Sequence, residues 1–315
     1  MSNAPLVLDA ATVSQYLPHI DVLQEMRQLF VELGRAQAVQ PAQTLTLFPD
    51  ERGDFITYLG AAAGAGVFGA KLSPYLVQDG PPIITAWTVL MSMETGQPLM
   101  LCDAGQLTTE RTAATTALAV DHLAKQDATT LAIIGTGAVA QAHWRQARAL
   151  RQWEKVVVYS PGLSQSGDVQ QIWRDLCPQV TFASSAEGAA EGADVVMLCT
   201  SSGTPVVDAA VIGTGTLVTS ISTNVARAHE IDPAFLSAAD VYCDYRQTTP
   251  TTAGEMQIAA QEHGWSADRV QGDLPGLAIA QCPTPSGTRP IFFRSIGLGL
   301  EDIAVAHALF RAASA

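Results

Sequence analysis

Basic residues are scarce in this chain. It has 17 Lys and Arg against 30 Asp and Glu, a formal net charge of -13 at pH 7. Nucleic acids and anionic membranes both attract proteins through basic surface. The sequence therefore argues against nucleic acid or a membrane as a partner. A small anionic ligand would have to be bound by a few local cations.

Cysteine is also scarce, and its spacing is uninformative. The five cysteines are Cys102, Cys177, Cys199, Cys243 and Cys282. They are odd in number and never spaced as C-x-x-C, which argues against a disulfide framework and against a zinc site. The six histidines have no ligand spacing either. We expect no metal.

Long apolar runs are absent. No stretch reaches the length of a membrane-spanning helix, and no basic segment followed by an apolar one opens the chain. These features predict a cytoplasmic protein. With 48% hydrophobic and 15% charged residues over 315 positions, the chain is long enough for two domains with cores of their own.

The most informative stretch that is present lies near the middle of the chain. Leu131 to Ile134 form a short apolar run, and Gly135 and Gly137 follow it before a helical pattern opens. In a G-x-G-x-x-[GA] turn the glycines allow a tight bend and close approach to a pyrophosphate, and a small third residue, here Ala140, lets helix and strand pack. The helix N-terminus offers unpaired N–H groups to phosphate. The motif predicts dinucleotide binding, with an ordinary glycine-containing βα turn as the alternative.

After this turn the pattern alternates between strand and helix. Apolar runs typical of buried strands recur at 155–159, 180–182, 194–199, 217–221 and 241–243, with helical stretches between them. This alternation predicts a doubly wound parallel sheet.

Before the turn the pattern is different. A helix is predicted over 13–33, followed by short extended runs between residues 40 and 101 that indicate an antiparallel or mixed sheet. Two more helices are predicted, over 108–124 and 298–312.

Two cations in this first part stand in unusual positions. Arg111 is predicted in the first turn of the 108–124 helix, where the helix dipole disfavours a positive charge unless an anion is adjacent. Lys71 is predicted on a strand face with little bulk beside it. The alternatives are that Arg111 pairs with Glu110 or Asp103 or is solvated, and that Lys71 faces solvent.

The end of the second Rossmann strand bears on coenzyme choice. An acidic residue there binds the ribose hydroxyls of NAD, whereas this chain has Ser160. The missing acid favours NADPH. NADH stays possible because no arginine is nearby.

With these parts in place, the chain resembles the ornithine cyclodeaminase and mu-crystallin family over nearly its whole length. The matching stretches are Gly69-Ala-Lys71, Glu110-Arg111-Thr112-Ala113-Ala114, Gly135-Thr-Gly137-Ala-Val-Ala140, Ala193-Asp194-Val-Val, Glu230-Ile-Asp232 and Ser295-Ile-Gly297-Leu-Gly-Leu-Glu301-Asp302. The resemblance implies an α/β fold. It comprises a Rossmann-type doubly wound parallel-sheet domain at 125–294 and an α+β substrate-binding and dimerisation domain at 1–124 and 295–315, assembled as a homodimer.

The resemblance also implies site residues. Lys71 and Arg111 would bind the α-carboxylate of an amino or imino acid. A third family cation is replaced by Gln43, and the catalytic aspartate of the cyclodeaminases falls on Asn224. The coenzyme-binding residues implied are Arg111, Thr112, Gly135, Thr136, Gly137, Ala138, Val139, Ser160, Thr200, Asn224 and Ser295.

Asn224 decides between the activities of the family. Cyclodeamination needs proton transfers that an amide performs badly, whereas reduction of a preformed cyclic imine needs mainly positioning. Within the family, the stretch from Ser222 to Glu230 looks most like the Δ1-pyrroline-2-carboxylate reductases. The resemblance therefore implies an NAD(P)H-dependent reductase of Δ1-pyrroline-2-carboxylate, and of the six-membered imine that gives L-pipecolate. The alternatives are ornithine cyclodeaminase, a dehydrogenase of a small amino acid, and a non-enzymatic nucleotide-dependent binding protein like mu-crystallin.

Overall fold

The computed structural model describes residues 4–223 and 227–314, and for Glu51 the backbone alone. Its contacts divide the chain into two compact units, Met1–Arg111 with Gly297–Ala315, and Thr112–Ile296. The sequence predicts a boundary at residue 124, whereas the contacts divide the chain at Arg111, within a helix. Among the described residues no helix is long and apolar enough to cross a membrane.

Strands and helices are numbered here along the described chain. The strands are β1 (Leu6–Leu8), β2 (Ala38–Val39), β3 (Thr44–Leu47), β4 (Gly53–Ala62), β5 (Val67–Leu76), β6 (Ile83–Ile84), β7 (Trp87–Ser92), β8 (Pro98–Asp103), β9 (Thr130–Ile134), β10 (Lys155–Tyr159), β11 (Val180–Phe182), β12 (Val195–Leu198), β13 (Leu217–Ser220), β14 (Asp240–Cys243), β15 (Val270–Asp273) and β16 (Ile291–Arg294). The α-helices are α1 (Ala10–Tyr16), α2 (Val22–Gly34), α3 (Gly105–Leu123), α4 (Ala138–Ala147), α5 (Gly167–Leu176), α6 (Ala186–Ala190), α7 (Thr249–Thr252), α8 (Gly254–Glu262), α9 (Leu274–Ala278) and α10 (Gly299–Ser314).

The first unit is built on a mixed sheet of β1 to β8, as predicted. Its main path is β1-β8-β7-β5-β4-β2, antiparallel except for the parallel pair of β1 and β8. Helix α10 packs on one face of this sheet, against β4, β5 and β7. Strand alternation explains the burial, since Tyr58, Gly60 and Ala62 of β4 are buried while the intervening Leu59 is exposed.

Two glycines bring α10 directly onto β4. A Cβ atom on Gly60 would lie 2.7 Å from the Cα of Leu300, and one on Gly299 would lie 2.4 Å from the carbonyl oxygen of Leu59. Neither distance is possible for a real side chain. The contact between helix and strand therefore requires glycine at both positions. It places Glu301 and Asp302, in the first turn of α10, close to the middle of the sheet.

Two helix predictions in this unit are wrong in detail. The helix predicted over 13–33 is divided into α1 and α2, because Pro18 lies in a short 3₁₀ turn and Asp21 caps a new helix by accepting from the N–H of Gln24. Helix α3 begins at Gly105 rather than near Thr108. Arg111 consequently lies in its second turn, beyond the range of the end charge, and the argument from the helix dipole does not hold.

The second unit is a doubly wound parallel sheet, which confirms the predicted α/β fold class. The strand order is β11-β10-β9-β12-β13-β16-β14-β15, and each neighbouring pair is parallel. The chain order reverses between β9 and β12. In open sheets of this kind, ligands bind at the carboxyl ends of the strands beside such a reversal.

Candidate functional site

The glycine turn lies at that reversal, between β9 and α4. Gly135 has φ +124°, and a Cβ there would meet the carbonyl oxygen of Cys199 at 2.3 Å. Gly137 is the N-cap residue of α4, and a Cβ on it would meet nothing within 4 Å. Gly135 thus permits the bend, while Gly137 leaves open space in front of the helix N-terminus. This is the cradle that a pyrophosphate needs.

A cleft of about 440 Å³ adjoins the turn. Its lining includes Gly135, Ser160 and Thr200, from the carboxyl ends of β9, β10 and β12. The hydroxyl of Ser160 lies 3.1 Å from that of Thr136. The residues present therefore fit the adenosine and pyrophosphate parts of a dinucleotide.

The cleft also contains an acid that the sequence analysis missed. Glu187 of α6 lines it, and its Oε1 accepts a hydrogen bond of 3.2 Å from the N–H of Asp208. The acid sought by the usual rule follows the second strand of the sheet. Glu187 instead lies in α6, after β11, which is the third strand of this unit in chain order. A search for an acid at the end of β10 therefore does not find it.

Deeper in this unit, a buried carboxylate joins the ends of β12 and β13. Oε1 of Glu230 accepts from the N–H of Thr200 at 2.8 Å and from its hydroxyl at 2.7 Å. Oε2 accepts from the Ser220 hydroxyl at 2.9 Å and from the N–H groups of Ile221 and Ser222 at 2.9 and 3.0 Å. We call Glu230, Thr200, Ser220, Ser222 and Arg294 the Glu230 cluster. Its carboxylate is fully buried and fully hydrogen-bonded.

Arg294 completes the Glu230 cluster. Its Nε lies 2.9 Å from Oε1 of Glu255, and its Nη1 donates to the Ser220 hydroxyl at 3.2 Å. Its Nη2 donates to the carbonyl oxygens of Ser222 and Ala228. Burial raises the pKa of Glu255, an effect that Arg294 opposes. The cluster thereby fixes the backbone on both sides of residues 223–227.

In the first unit the two cations singled out in the sequence come together. Nζ of Lys71 lies 2.8 Å from Oδ2 of Asp302 and 3.3 Å from the Thr108 hydroxyl. Arg111 donates from Nε to Oδ1 of Asp302 and from Nη1 to Oε2 of Glu301, both at 3.0 Å. We call Lys71, Arg111, Glu301 and Asp302 the Lys71 cluster. Lys71 is only 1% exposed and Arg111 only 4%, so neither is solvated, and Arg111 has Glu301 and Asp302 as ion-pair partners.

Burial and pairing act differently on the two cations. Burial lowers the pKa of Lys71 to about 8, although Asp302 opposes the change. Burial also lowers the pKa of Arg111, but Asp302 and Glu301 outweigh it and raise the value above the ordinary one. The Tyr58 ring lies under the Lys71 ammonium, 4.2 Å from Nζ to the ring centroid, and burial raises the pKa of Tyr58 to about 12. Of the two cations, Lys71 is thus the one whose pKa lies closer to neutral pH.

The other residues named from the sequence lie as follows. Gln43 is half-buried just before β3, in the first unit. Thr112 is in α3, and Ala138 and Val139 open α4. Ser295 follows β16 and donates its hydroxyl to Oδ2 of Asp244 at 3.1 Å. Asn224 lies outside the described residues.

The carboxylates of the Lys71 cluster were not given a role from the sequence. Glu301 and Asp302 lie in the first turn of α10, where acids are expected for the helix dipole alone. Their proximity to Lys71 and Arg111 depends on the packing of α10 on the sheet. Across residues 4–223 and 227–314, no group of three or more His, Cys, Asp or Glu is arranged to hold a metal ion.

Residues 4–315 match the model of a family described as the ornithine cyclodeaminase/mu-crystallin family. The chain is 55% identical over 307 residues, covering 98% of this chain and 97% of the relative, to an NAD(P)H-dependent anabolic L-arginine dehydrogenase, DauB, of Pseudomonas aeruginosa. It is 25% identical over 315 residues, covering 96% of this chain and 98% of the relative, to a Δ1-pyrroline-2-carboxylate reductase of Colwellia psychrerythraea.

Among solved structures, the Δ1-pyrroline-2-carboxylate reductase of Thermococcus litoralis, in complex with NADH and L-proline, has a similar fold. The TM-score is 0.90 at 22% identity, covering 98% of this chain and 97% of that one.

Proposed function

Because the chain belongs to the ornithine cyclodeaminase/mu-crystallin family, we propose that it is an NAD(P)H-dependent dehydrogenase that interconverts L-arginine and its 2-oxo acid plus ammonia. The observation that carries the proposal is the 55% identity, over 98% of the chain, to a relative that bears the name of an arginine dehydrogenase. The sequence prediction of a cyclic-imine reductase is retained as a second candidate.

In this proposal the Lys71 cluster binds the end of the substrate that is common to all amino acids. Arg111 stays charged, and Lys71 has N–H donors whether it is protonated or neutral, so an α-carboxylate can join them while Asp302 and Glu301 hold their positions. With a pKa of about 8, Lys71 can take a proton from the α-amino group in oxidation and return it in reduction. A bound nicotinamide supplies the hydride acceptor or donor.

In the direction of oxidation, the hydride leaves Cα and the C–N bond becomes an iminium. Water adds to that carbon, and ammonia leaves to give the 2-oxo acid. The reverse sequence reduces the imine formed from the 2-oxo acid and ammonia. The Gly135–Gly137 turn and the N-terminus of α4 would hold the pyrophosphate of the coenzyme.

We propose that NADPH is the preferred coenzyme and that NADH is also used. Ser160 and Thr136 present hydroxyls where a 2′-phosphate could accept hydrogen bonds. Glu187 in the same cleft opposes a second phosphate, so the preference is expected to be small.

The test is a coenzyme and substrate panel on the purified chain. L-Arginine with NADP⁺ or NAD⁺ should increase absorbance at the nicotinamide band, and the 2-oxo acid of arginine with ammonium and NADPH should decrease it. No change with any of these mixtures would refute the proposed function.

The second candidate is reduction of Δ1-pyrroline-2-carboxylate to L-proline. It is favoured by the relative of that name and by a cluster that can hold the carboxylate of any small imino acid. It predicts that Δ1-pyrroline-2-carboxylate oxidises NADPH in the absence of ammonium. Ornithine cyclodeamination would instead release ammonia with no net change in NADH, and oxidation of alanine would appear in the same panel as NADPH formation. Tight coenzyme binding without any turnover would indicate a binding protein.

We also propose that the chain is a homodimer. The face of the first sheet opposite α10 presents apolar side chains that are between 36% and 48% exposed, namely Leu59, Phe68, Leu72, Trp87 and Leu101. A continuous apolar face of this kind marks an association surface. Leu72→Lys should halve the mass measured by light scattering, whereas Ile172→Lys, at an equally exposed site in the other unit, should not. A monomeric wild type would refute this assembly.

A further inference from the structure

Strands β4 and β5 form a regular ladder that extends beyond the Lys71 cluster. Their ten residue pairs run from Gly53 with Leu76 to Ala62 with Val67 without a shift in register. Directly opposed residues in an antiparallel pair point to the same face, and so do residues two positions along each strand. Every second pair from Tyr58 and Lys71 therefore lies on the face that carries the cluster.

Three consecutive pairs on this face become more exposed with distance from the Lys71 cluster. The first pair is Tyr58 with Lys71. The second pair is Ile56 with Ser73, both half-buried.

The third pair is Asp54 with Tyr75. Asp54 is half-buried and Tyr75 is 40% exposed, so this end of the ladder is accessible to a solute. The Asp54 carboxylate makes no hydrogen bond or ion pair with the side chains that the structure describes. It sits beside an aromatic ring, and such a pair can bind a guanidinium through charge and through the ring face.

The spacing of the pairs matches the length of an extended basic amino acid. Four residues along a strand span about 14 Å at about 3.4 Å per residue. Standard bond lengths put the α-carboxylate and the guanidinium of extended arginine about 8 Å apart. A hydrogen bond of about 3 Å at each end of the arginine brings the total to about 14 Å, which equals the spacing between the first and third pairs.

We infer that Asp54 and Tyr75 form the side-chain subsite of this site and select a guanidinium or another distal cation. The inference rests on the proposed function, because it takes the α-carboxylate to be bound at Lys71 and Arg111. Ile56 and Ser73 then contact the methylene groups in between. A substrate as short as a pyrroline carboxylate does not reach the third pair.

The experiment compares L-arginine with L-citrulline, which has the same length but a neutral end group. The readout is the ratio of kcat/KM for the two substrates in oxidation. In the wild type we expect arginine to be favoured about 10- to 100-fold, the usual effect of one charged hydrogen-bonding partner. Asp54→Asn should reduce the ratio at least about 10-fold, and Asp54→Lys should reduce it further.

Glu94→Gln is the matched control. It removes one negative charge from an exposed turn of the same unit, and its ratio should equal that of the wild type. An Asp54→Asn variant that keeps the wild-type ratio would overturn the subsite while leaving the proposed function intact. Equal kcat/KM of the wild type for arginine and citrulline would also overturn the subsite and leave the proposed function intact. A wild type that oxidises neither substrate, yet reduces a cyclic imine, would overturn the proposed function and the subsite with it.

Discussion

The two buried charge clusters of this molecule satisfy their charges in different ways. In the Glu230 cluster, the carboxylate is surrounded by hydroxyls and backbone N–H groups that belong to two strand ends. In the Lys71 cluster, two cations face two carboxylates from a different part of the chain. The first arrangement leaves little for a ligand to bind, whereas the second contains a cation whose pKa lies near 8.

The partners of a buried charge determine what its removal should change. A carboxylate whose lone pairs are taken by the backbone fixes the backbone, and its loss should appear as lost stability. A cation held by another side chain can exchange that partner or its proton, and its loss should appear as lost activity.

The largest effect is expected from Lys71→Met. The change removes the proton-exchanging ammonium but keeps most of the unbranched side chain, and Asp302 retains Arg111 as a partner. We expect kcat/KM to fall about 1,000-fold, within the usual range for a lost acid or base. The melting temperature should also fall, because the buried Asp302 carboxylate loses one of its two cations. Lys155→Met, at an exposed position of β10, should match the wild type in both measurements. A large fall in melting temperature with activity retained would reverse the roles of the two clusters.

Glu230→Gln should show the opposite pattern. The Glu230 carboxylate accepts five hydrogen bonds, and the amide of glutamine would place two N–H donors against those five donors. The free energy of unfolding should therefore fall by about 3 kcal/mol. Urea denaturation measures this, with the exposed Glu262→Gln as control. Unchanged stability would mean that the Glu230 cluster is not the fixed scaffold described above.

Asp302→Asn should change how activity depends on pH. Burial lowers the pKa of Lys71 and the Asp302 charge opposes that shift, so removing the charge lowers the pKa further. Oxidation requires neutral lysine, so in the wild type kcat/KM should rise with pH through about 8. In the variant the rise should move to lower pH, together with a loss of about 10-fold in kcat/KM from poorer positioning. A pH profile that does not move, or moves to higher pH, would contradict the pairing.

The smallest effect is expected from Glu187→Gln, in the cleft beside the glycine turn. Removing its charge should raise the ratio of kcat/KM for NADPH over NADH by about 3-fold, as expected for a partly screened charge. Glu191→Gln, exposed just after the same helix, is the control. An unchanged ratio would show that Glu187 does not face the 2′ position of the ribose.

Much of the fold could be predicted because its signals are local. The run Leu131–Ile134 with the glycines after it fixes β9, the turn and α4, and repeated apolar runs give the parallel sheet. The break at Pro18 and the early start of α3 were missed because helix ends depend on single capping contacts. The pairing of Lys71 with Asp302 was out of reach, since it joins residues far apart in sequence through packing of α10 on β4.

The close contact between Gly60 and Leu300 keeps the start of α10, and with it Asp302, beside Lys71. Any side chain at position 60 would push the helix away from the strand and carry the acid at its start away from the lysine. The proton affinity of the Lys71 amine therefore depends on residue 60, which carries no charge itself. An alanine at residue 60 would alter the acidity of the site by geometry alone.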